Sequence, residues 1–165
     1  AEVEGKLRRL RFYGAEKMYY AIEHGYNSRL DEVQAAILLT KLPHLDQYIK
    51  RRREIAYLYN ELLKDTNLIL PKEADYGKHA YYLYVVRHSN RDEIMAALKE
   101  NNIFVNISYP WPIHIMTGYQ FLGYKEGDFP ETESAAKEIF SLPMYPALTD
   151  EEVHYVSDIL HKILK

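Results

Sequence analysis

The stretch Gly25–Ala36 reads GYNSRLDEVQAA and combines a turn, polar anchors and the start of a helix. Ser28 is predicted to cap that helix, and acidic residues 31–32 complement the dipole of its first turn. Asn27 and Arg29 would then flank a helix N-terminus, where backbone and side-chain donors suit an anion. The alternative is an ordinary Asn turn with a surface arginine. Taken by itself, this stretch favours that alternative over an anion site.

Composition places the chain among ordinary globular proteins. Its 165 residues are 47% hydrophobic and 27% charged, which is enough for one domain with a sizeable core. The formal charge of −3 gives no reason to expect a nucleic acid or an anionic membrane as partner. Without cysteine there is no disulfide and no thiolate site, which fits the cytoplasm.

Periodicity predicts helices alternating with short strands. Apolar and aromatic residues at spacings of three and four predict one long helix over 45–63. Ala80–Val86 and Ile103–Ile107 are predicted strands. The fold class expected is therefore α/β, a small layer of strands packed on long helices. Because Glu2–Phe12 has the pattern of a helix already under way, we also expect the natural protein to begin upstream.

Local signals complete the outline. Tyr13–Tyr26 is predicted to form a loop or short hairpin, and Gly118–Pro130 a surface loop with one helical piece. Helices are expected after Asn90 and over Glu131–Phe140, followed by a short extended segment at Ser141–Tyr145. A capping box, Thr149-x-x-Glu152, predicts the start of the last helix.

Several residue combinations have both a functional and an ordinary interpretation, and we favour the ordinary one. His154, Asp158 and His161 share a helix face and could ligate a metal, but solvated polar residues are expected there. The run 51–53 is three arginines, interpreted as solvated charge with one ion pair. The possible hydrolytic pairs are Asp128 with Glu133 and Ser108 with His114.

The segment 106–114 reads NISYPWPIH and is the stronger candidate for a binding site. Two prolines stiffen a loop that carries Tyr109, Trp111 and His114. Such a loop suits a sugar or nucleotide pocket, although it could equally be a packed connector.

Taken together, these stretches resemble the C-terminal part of the DegT/DnrJ/StrS-type sugar-nucleotide aminotransferases, which depend on pyridoxal 5'-phosphate (PLP). The similarity spans almost the whole chain, and the 3-keto-sugar branch, acting on dTDP-linked hexoses, looks closest. The motifs that carry it, in order along the chain, are LRFYG at 10–14, GYNSRLDEVQAA at 25–36, R-x-x-A-x-x-Y at 53–59, H-x-Y-x-x-Y at 79–84, Y-P-x-P-I-H at 109–114, G-D-F-P-x-T-E at 127–133 and SLPMYP at 141–146.

The resemblance implies the small C-terminal domain of a fold-type I aminotransferase, an α/β domain with a short mixed or antiparallel sheet packed on long helices. Residues 1–30 would be a remnant of the large PLP domain with a linker, and residues 31–165 the small domain, including a long helix at 44–64. The whole enzyme would be a cytoplasmic homodimer with shared active sites, transferring an amino group from glutamate to a dTDP- or UDP-linked keto-hexose. No nucleic acid, membrane or metal is expected.

The same resemblance assigns roles to residues. Asn27, with Arg29 nearby, would reach the cofactor phosphate of the other subunit. Tyr109 and His114, together with Trp111 and Ser108, would line the sugar-nucleotide side of the pocket. Ser108 departs from the histidine that many members have before Tyr-Pro.

No lysine here lies in the context of the residue that carries PLP, so no catalytic residue is assigned and the chain alone is expected to be inactive. Two other classes stay open. One is a stand-alone module that dimerises through the 45–63 helix. The other is a nucleic-acid binder that uses Tyr81–Tyr84 and the arginine run.

Overall fold

The computed structural model describes residues 2–165, so Ala1, the first residue of the expected 1–30 segment, lies outside it. The helices are α1 Glu2–Leu10, α2 Glu32–Lys41, α3 Leu45–Leu63, α4 Arg91–Glu100, α5 Pro130–Glu138 and α6 Asp150–Ile163. The strands are β1 Ala15–Lys17, β2 Tyr20–Ala21, β3 Tyr84–Arg87 and β4 Ile139–Leu142. Two compact units result, one extending to Leu45 and the other covering Asp46–Lys165.

The fold class is confirmed as α/β, with short antiparallel sheets and a long helix. The expected α3 is present with its predicted bounds, and the hairpin expected between residues 13 and 26 is β1 paired with β2. Within residues 2–165, no helix combines the length and the hydropathy needed to cross a bilayer.

In the first unit, the end of α1 pairs with the stretch that precedes α2. The backbone N–H of Tyr13 donates to the carbonyl of Tyr26 at 2.9 Å, and the N–H of Ser28 donates to the carbonyl of Arg11 at 3.0 Å. The predicted cap at Ser28 is wrong for this reason: its backbone belongs to the paired stretch. The helix starts three residues later, with Asp31 in the N-cap position and no side-chain capping bond.

Two glycines allow this pairing. A Cβ added to Gly25 would lie 2.0 Å from the backbone nitrogen of Gly14, and one added to Gly14 would lie 1.8 Å from the carbonyl oxygen of Glu23. Gly14 also has a φ of 71°, a left-handed conformation that L side chains rarely adopt. The two chain segments therefore cross at a distance that only glycine permits.

The second unit is built on α3, whose C-terminal half carries the buried face. Ile55, Ala56, Tyr59 and Leu63 are buried there. Leu45, the first residue of the predicted apolar face, is instead 48% exposed. The core against this face comes from β3, β4, α4 and α6.

The sheet of the second unit differs from the prediction. Strand β3 pairs with β4 in antiparallel register, Tyr84 opposite Leu142 and Arg87 opposite Ile139. The predicted strand Ile103–Ile107 contributes only an isolated bridge, from Asn106 to Ser141. The helix predicted over Glu131–Phe140 ends at Glu138, because the following residues pair with β3.

The predicted strand Ala80–Val86 begins four residues late. Tyr81 has a φ of 46°, which interrupts an extended backbone. Its carbonyl and that of Tyr82 accept hydrogen bonds from the guanidinium of Arg52 at 3.2 and 3.0 Å. Segment 80–83 is therefore anchored to α3 before β3 starts.

The prediction that Arg51–Arg53 is solvated charge with one ion pair is wrong, because each of the three arginines has specific partners. Arg52 donates to the carbonyl of Met144 at 2.9 Å in addition to the carbonyls of residues 81 and 82. Arg51 donates to the carbonyl of Leu148 at 2.6 Å and pairs with Asp150 at 2.8 Å.

Arg53 holds the segment that leads toward β3. It pairs with Glu73 at 2.6 Å, donates to the carbonyl of His79 at 2.7 Å and also bonds to the Tyr57 hydroxyl. The hydrogen bond from Arg53 lowers the pKa of Glu73 from 4.5 to about 2. A depressed carboxyl pKa means that the pair stabilises the fold at neutral pH, and that this contribution is lost as the pH falls from 4.5 toward 2.

Helix starts in this unit follow the predicted positions. The Thr149 capping box is confirmed: the Thr149 hydroxyl accepts from the N–H of Glu152, and the Glu152 carboxylate accepts from the N–H of Thr149. Asn90 occupies the N-cap position of α4 as expected, although its side chain makes no capping bond.

The glycine crossing yields a first prediction. Gly25→Ala places a methyl group on the backbone of Gly14, so the pairing should be destabilised by about 1–3 kcal/mol. The measurement is amide hydrogen exchange at Tyr13 and Tyr26. Gly118→Ala is the matched control, because nothing lies within 4 Å of its added Cβ. Equal protection in both variants would contradict the crossing.

The arginine contacts yield a second prediction. Arg52→Met removes the donor to three carbonyls, and we expect a loss of about 2–4 kcal/mol in the free energy of unfolding measured with urea. The free energy of unfolding of Arg52→Lys should lie between those of the parent chain and Arg52→Met, since an ammonium cannot span all three acceptors. Lys50→Met, an exposed position on the same helix, is the control. A change within about 0.5 kcal/mol for Arg52→Met would show that the contacts contribute little.

Candidate functional site

An open groove of about 410 Å³ lies between the 109–113 segment and α5. Tyr109, Trp111, Pro112 and Ile113 line one wall. The other wall is one face of α5 and the start of β4, formed by Glu131, Thr132, Ala135, Ala136 and Ile139. The groove therefore combines aromatic and aliphatic surface with one carboxylate and two hydroxyls, those of Tyr109 and Thr132.

The two aromatic residues predicted for substrate contact lie in this groove. Tyr109 is 87% exposed and Trp111 is 68% exposed, so both rings are free to meet a ligand. Tyr109 has a φ of 61° and precedes Pro110. A left-handed conformation is unfavourable for an aromatic residue, and such strain often marks a functional position.

The structure places the other two predicted pocket residues outside the lining. His114 is 8% exposed and lies in a short 3-10 turn, Ile113–Ile115. Its Nε2 is 2.8 Å from Oε1 of Glu133, and its ring packs edge-on against Phe129. Ser108 is half-buried before the turn.

Glu133 gathers hydrogen bonds from three directions. The N–H of Gly127 donates to both carboxylate oxygens at 2.8 and 3.0 Å, and the N–H of Phe129 lies 3.4 Å from one of them. Its bond with His114, followed by these backbone donors, lowers the pKa of the Glu133 carboxyl. Glu133 is therefore held as a carboxylate inside the structure.

The possible hydrolytic arrangements have no support in this geometry. Asp128 accepts from the N–H of Lys125 at 2.9 Å and serves the turn, while Glu133 is committed to the loop. His114 bonds to Glu133, and no bond joins it to Ser108 within residues 2–165. Neither pair is presented as two free catalytic groups.

Asn27 lies within the paired backbone of the first unit and Arg29 follows it, and both residues are exposed. The backbone of Asn27 bridges to Phe12, and its side-chain amide makes no hydrogen bond within the described part of the chain. The guanidinium of Arg29 lies 5.4 Å from the centre of the Phe12 ring. These two side chains are donors that lie two residues apart in the chain, and their chemistry suits a phosphate.

All twelve lysines are exposed to solvent. A lysine that acts as a nucleophilic amine at neutral pH needs desolvation or a neighbouring cation. The structure therefore offers no candidate for a catalytic lysine, in agreement with the sequence analysis.

The metal interpretation and the nucleic-acid interpretation find no support. Residues 2–165 contain no cluster of three or more potential metal ligands, and His161 is hydrogen-bonded to the carbonyl of Leu62 at 2.8 Å. Tyr81 and Tyr84 are buried at 1% and 0% exposure, so they cannot stack on bases. The arginines of the run are engaged inside the unit.

That α5 forms a wall of the groove was not predicted from the sequence, although the residue spacing contains a signal for it. Thr132, Ala135 and Ala136 are spaced as i, i+3 and i+4, which places them on one face of a helix. These small residues leave room beside the helix, whereas larger side chains would fill it. The pairing of His114 with Glu133 gave no comparable signal.

The comparisons with known proteins agree with the resemblance. Residues 1–161 match the model of the DegT/DnrJ/EryC1/StrS aminotransferase family. The chain is 47% identical over 169 residues to the dTDP-3-amino-3,4,6-trideoxy-alpha-D-glucose transaminase of Micromonospora megalomicea subsp. nigra, covering 99% of this chain and 45% of that protein. It is 40% identical to the dTDP-3-amino-3,6-dideoxy-alpha-D-galactopyranose transaminase of Aneurinibacillus thermoaerophilus, covering 98% and 44%.

A solved structure gives the same result. The fold is similar to that of S. venezuelae DesV in complex with a ketimine intermediate, with a TM-score of 0.93 and 34% identity over 99% of this chain and 44% of that one. The chain spans less than half the length of each of these three relatives. It belongs to the DegT/DnrJ/EryC1/StrS aminotransferase family.

Proposed function

We propose that the chain is the C-terminal part of a PLP-dependent enzyme that aminates a keto sugar nucleotide, with glutamate as amino donor. The observation that carries the substrate class is the aromatic groove between residues 109–113 and α5, in a chain of this family. The relatives named as dTDP-3-amino-sugar transaminases favour a dTDP-linked 3-keto-hexose over the UDP-linked alternative. The aminotransferase names of the relatives favour this over a stand-alone interaction module.

The groove suits the uncharged end of a sugar nucleotide. The rings of Tyr109 and Trp111 offer surfaces for stacking a base or for packing a sugar ring. Glu131 and Thr132 add oxygen acceptors for hydroxyl or N–H groups. No cationic residue lines the groove, so we expect the diphosphate to lie outside it.

Asn27 and Arg29 suit the phosphate of the cofactor. Their side chains are exposed donors, one amide and one guanidinium, and neither is used in an ion pair within residues 2–165. When bound, PLP supplies an electron sink and carries the amino group. This chain would contribute phosphate contacts across a homodimer interface, and the lysine that carries PLP would lie in the remainder of the protein.

The first unit has surface that fits such an assembly. Helix α2 has no buried residue, although its sequence is largely apolar. Val33, Ile37, Leu38 and Leu39 are each more than half exposed. We propose that residues 1–30 belong with a large PLP domain, residues 31–165 with the small domain, and that further protein covers α2 in a cytoplasmic enzyme.

Residues 1–165 are expected to form no stoichiometric PLP adduct at any single lysine, because every lysine is exposed and none is desolvated in a way that would make it more reactive than free lysine. The measurement is a PLP titration followed by borohydride reduction and mass mapping, with free lysine as the positive control for the chemistry. Scattered labelling at trace level agrees with the proposal. A stoichiometric, reducible adduct at one lysine would contradict it.

In the complete enzyme, Asn27→Ala and Arg29→Ala should each weaken PLP binding about tenfold, since each removes one donor to the phosphate. PLP affinity is measured by fluorescence titration of apoenzyme. Ser28→Ala is the matched control, because this residue contributes its backbone N–H to the fold. Unchanged PLP affinity in both test variants would remove these residues from the cofactor site.

A further inference from the structure

A single side-chain hydrogen bond joins the two walls of the groove among the residues described. Trp111 and Ile113 lie in one wall directly before His114, while Thr132 and Ala135 lie in the other on either side of Glu133. Nε2 of His114 and Oε1 of Glu133 are 2.8 Å apart. The spacing of the walls is therefore fixed at this contact.

The same carboxylate closes the loop between the walls. Glu133 holds the start of that loop through His114, and its end through the N–H groups of Gly127 and Phe129. The side chains of His114 and Glu133 are only 8% and 13% exposed. Hydrogen bonds shielded from water in this way are stronger than exposed ones, so the loop has one dominant anchor.

The wall that carries the aromatic rings needs such an anchor. Tyr109 is held in a left-handed conformation with a φ of 61°. Strain of this kind persists only where the surroundings impose it. Two prolines stiffen the segment, and the bond from His114 fixes the end of it.

We propose that Glu133, acting through His114, is a positioning residue that sets the spacing of the groove walls and thereby the affinity for the sugar nucleotide. The ligand in this statement rests on the proposed function, whereas the wall spacing rests on the contacts alone. Glu133 does not line the groove itself. Its effect on a ligand is therefore indirect.

Trp111 is the only tryptophan of the chain and reports on the groove without a label. The first experiment compares Glu133→Gln and His114→Gln with the parent chain, without ligand, by acrylamide quenching and emission maximum. We expect both variants to change Trp111 accessibility at a temperature where circular dichroism shows them folded. Glu126→Gln is the matched control, an exposed carboxylate of the same loop that should leave Trp111 unchanged.

The second experiment titrates the same proteins with dTDP-glucose and follows Trp111 quenching. Glu133→Gln and His114→Gln should each weaken binding about tenfold, as expected for losing a buried charge-assisted bond. The affinity of the double variant for dTDP-glucose should equal that of the single variant with the lower affinity, because the two residues act through one contact. Glu126→Gln should bind like the parent chain.

The outcomes separate the two proposals. A parent chain that does not bind dTDP-glucose, while Glu133→Gln still alters Trp111, would reject the groove as the ligand site and retain Glu133 as the anchor. Unchanged Trp111 accessibility in both variants would overturn the positioning role. If Glu133→Gln does not fold, His114→Gln decides alone, because it leaves the bonds to Gly127 and Phe129 in place.

Discussion

The guanidinium groups of Arg51, Arg52 and Arg53 hold the rest of the second unit onto α3. Consecutive helical residues point about 100° apart, so three adjacent arginines reach three different segments. Arg52 reaches residues 81–82 just before β3 and residue 144 just after β4. Arg51 reaches residue 148 just before α6, and Arg53 reaches residues 73 and 79. Because β4 continues directly from α5, anchoring the end of β4 also positions α5, which is one wall of the groove. The shape of the groove therefore depends on contacts that lie outside its own lining.

Much of the fold is predictable because its signals are local. The periodicity of α3 and the capping box at Thr149 are properties of a few adjacent residues, and both are confirmed. The errors arise where distant segments decide the structure. Ser28 has the chemistry of a cap, but its backbone is paired with Arg11. In the sequence the arginines resemble solvated charge, because most of their acceptors lie 20 to 99 residues away.

In the candidate site, too, some residues are predictable from the local sequence and others depend on distant contacts. Tyr109 and Trp111 could be selected from a proline-rich loop, and the structure brings both into one groove. His114 was selected with them, but its role as a partner of Glu133 depends on a contact across 19 residues. Asn27 and Arg29 were assigned through the family resemblance. The structure shows that their side chains are exposed, and the proposed phosphate role depends on a second subunit.

The most direct test is chemical-shift mapping by NMR of residues 1–165 titrated with a dTDP-linked hexose. We expect the largest shifts at Tyr109–Ile113 and on the groove face of α5, with smaller ones at His114 and Glu133. A second groove, lined by Arg53, Glu73 and Lys78 among others, provides the contrast. Shifts centred there, with residues 109–113 unaffected, would contradict the assignment of the aromatic groove as the sugar-nucleotide site.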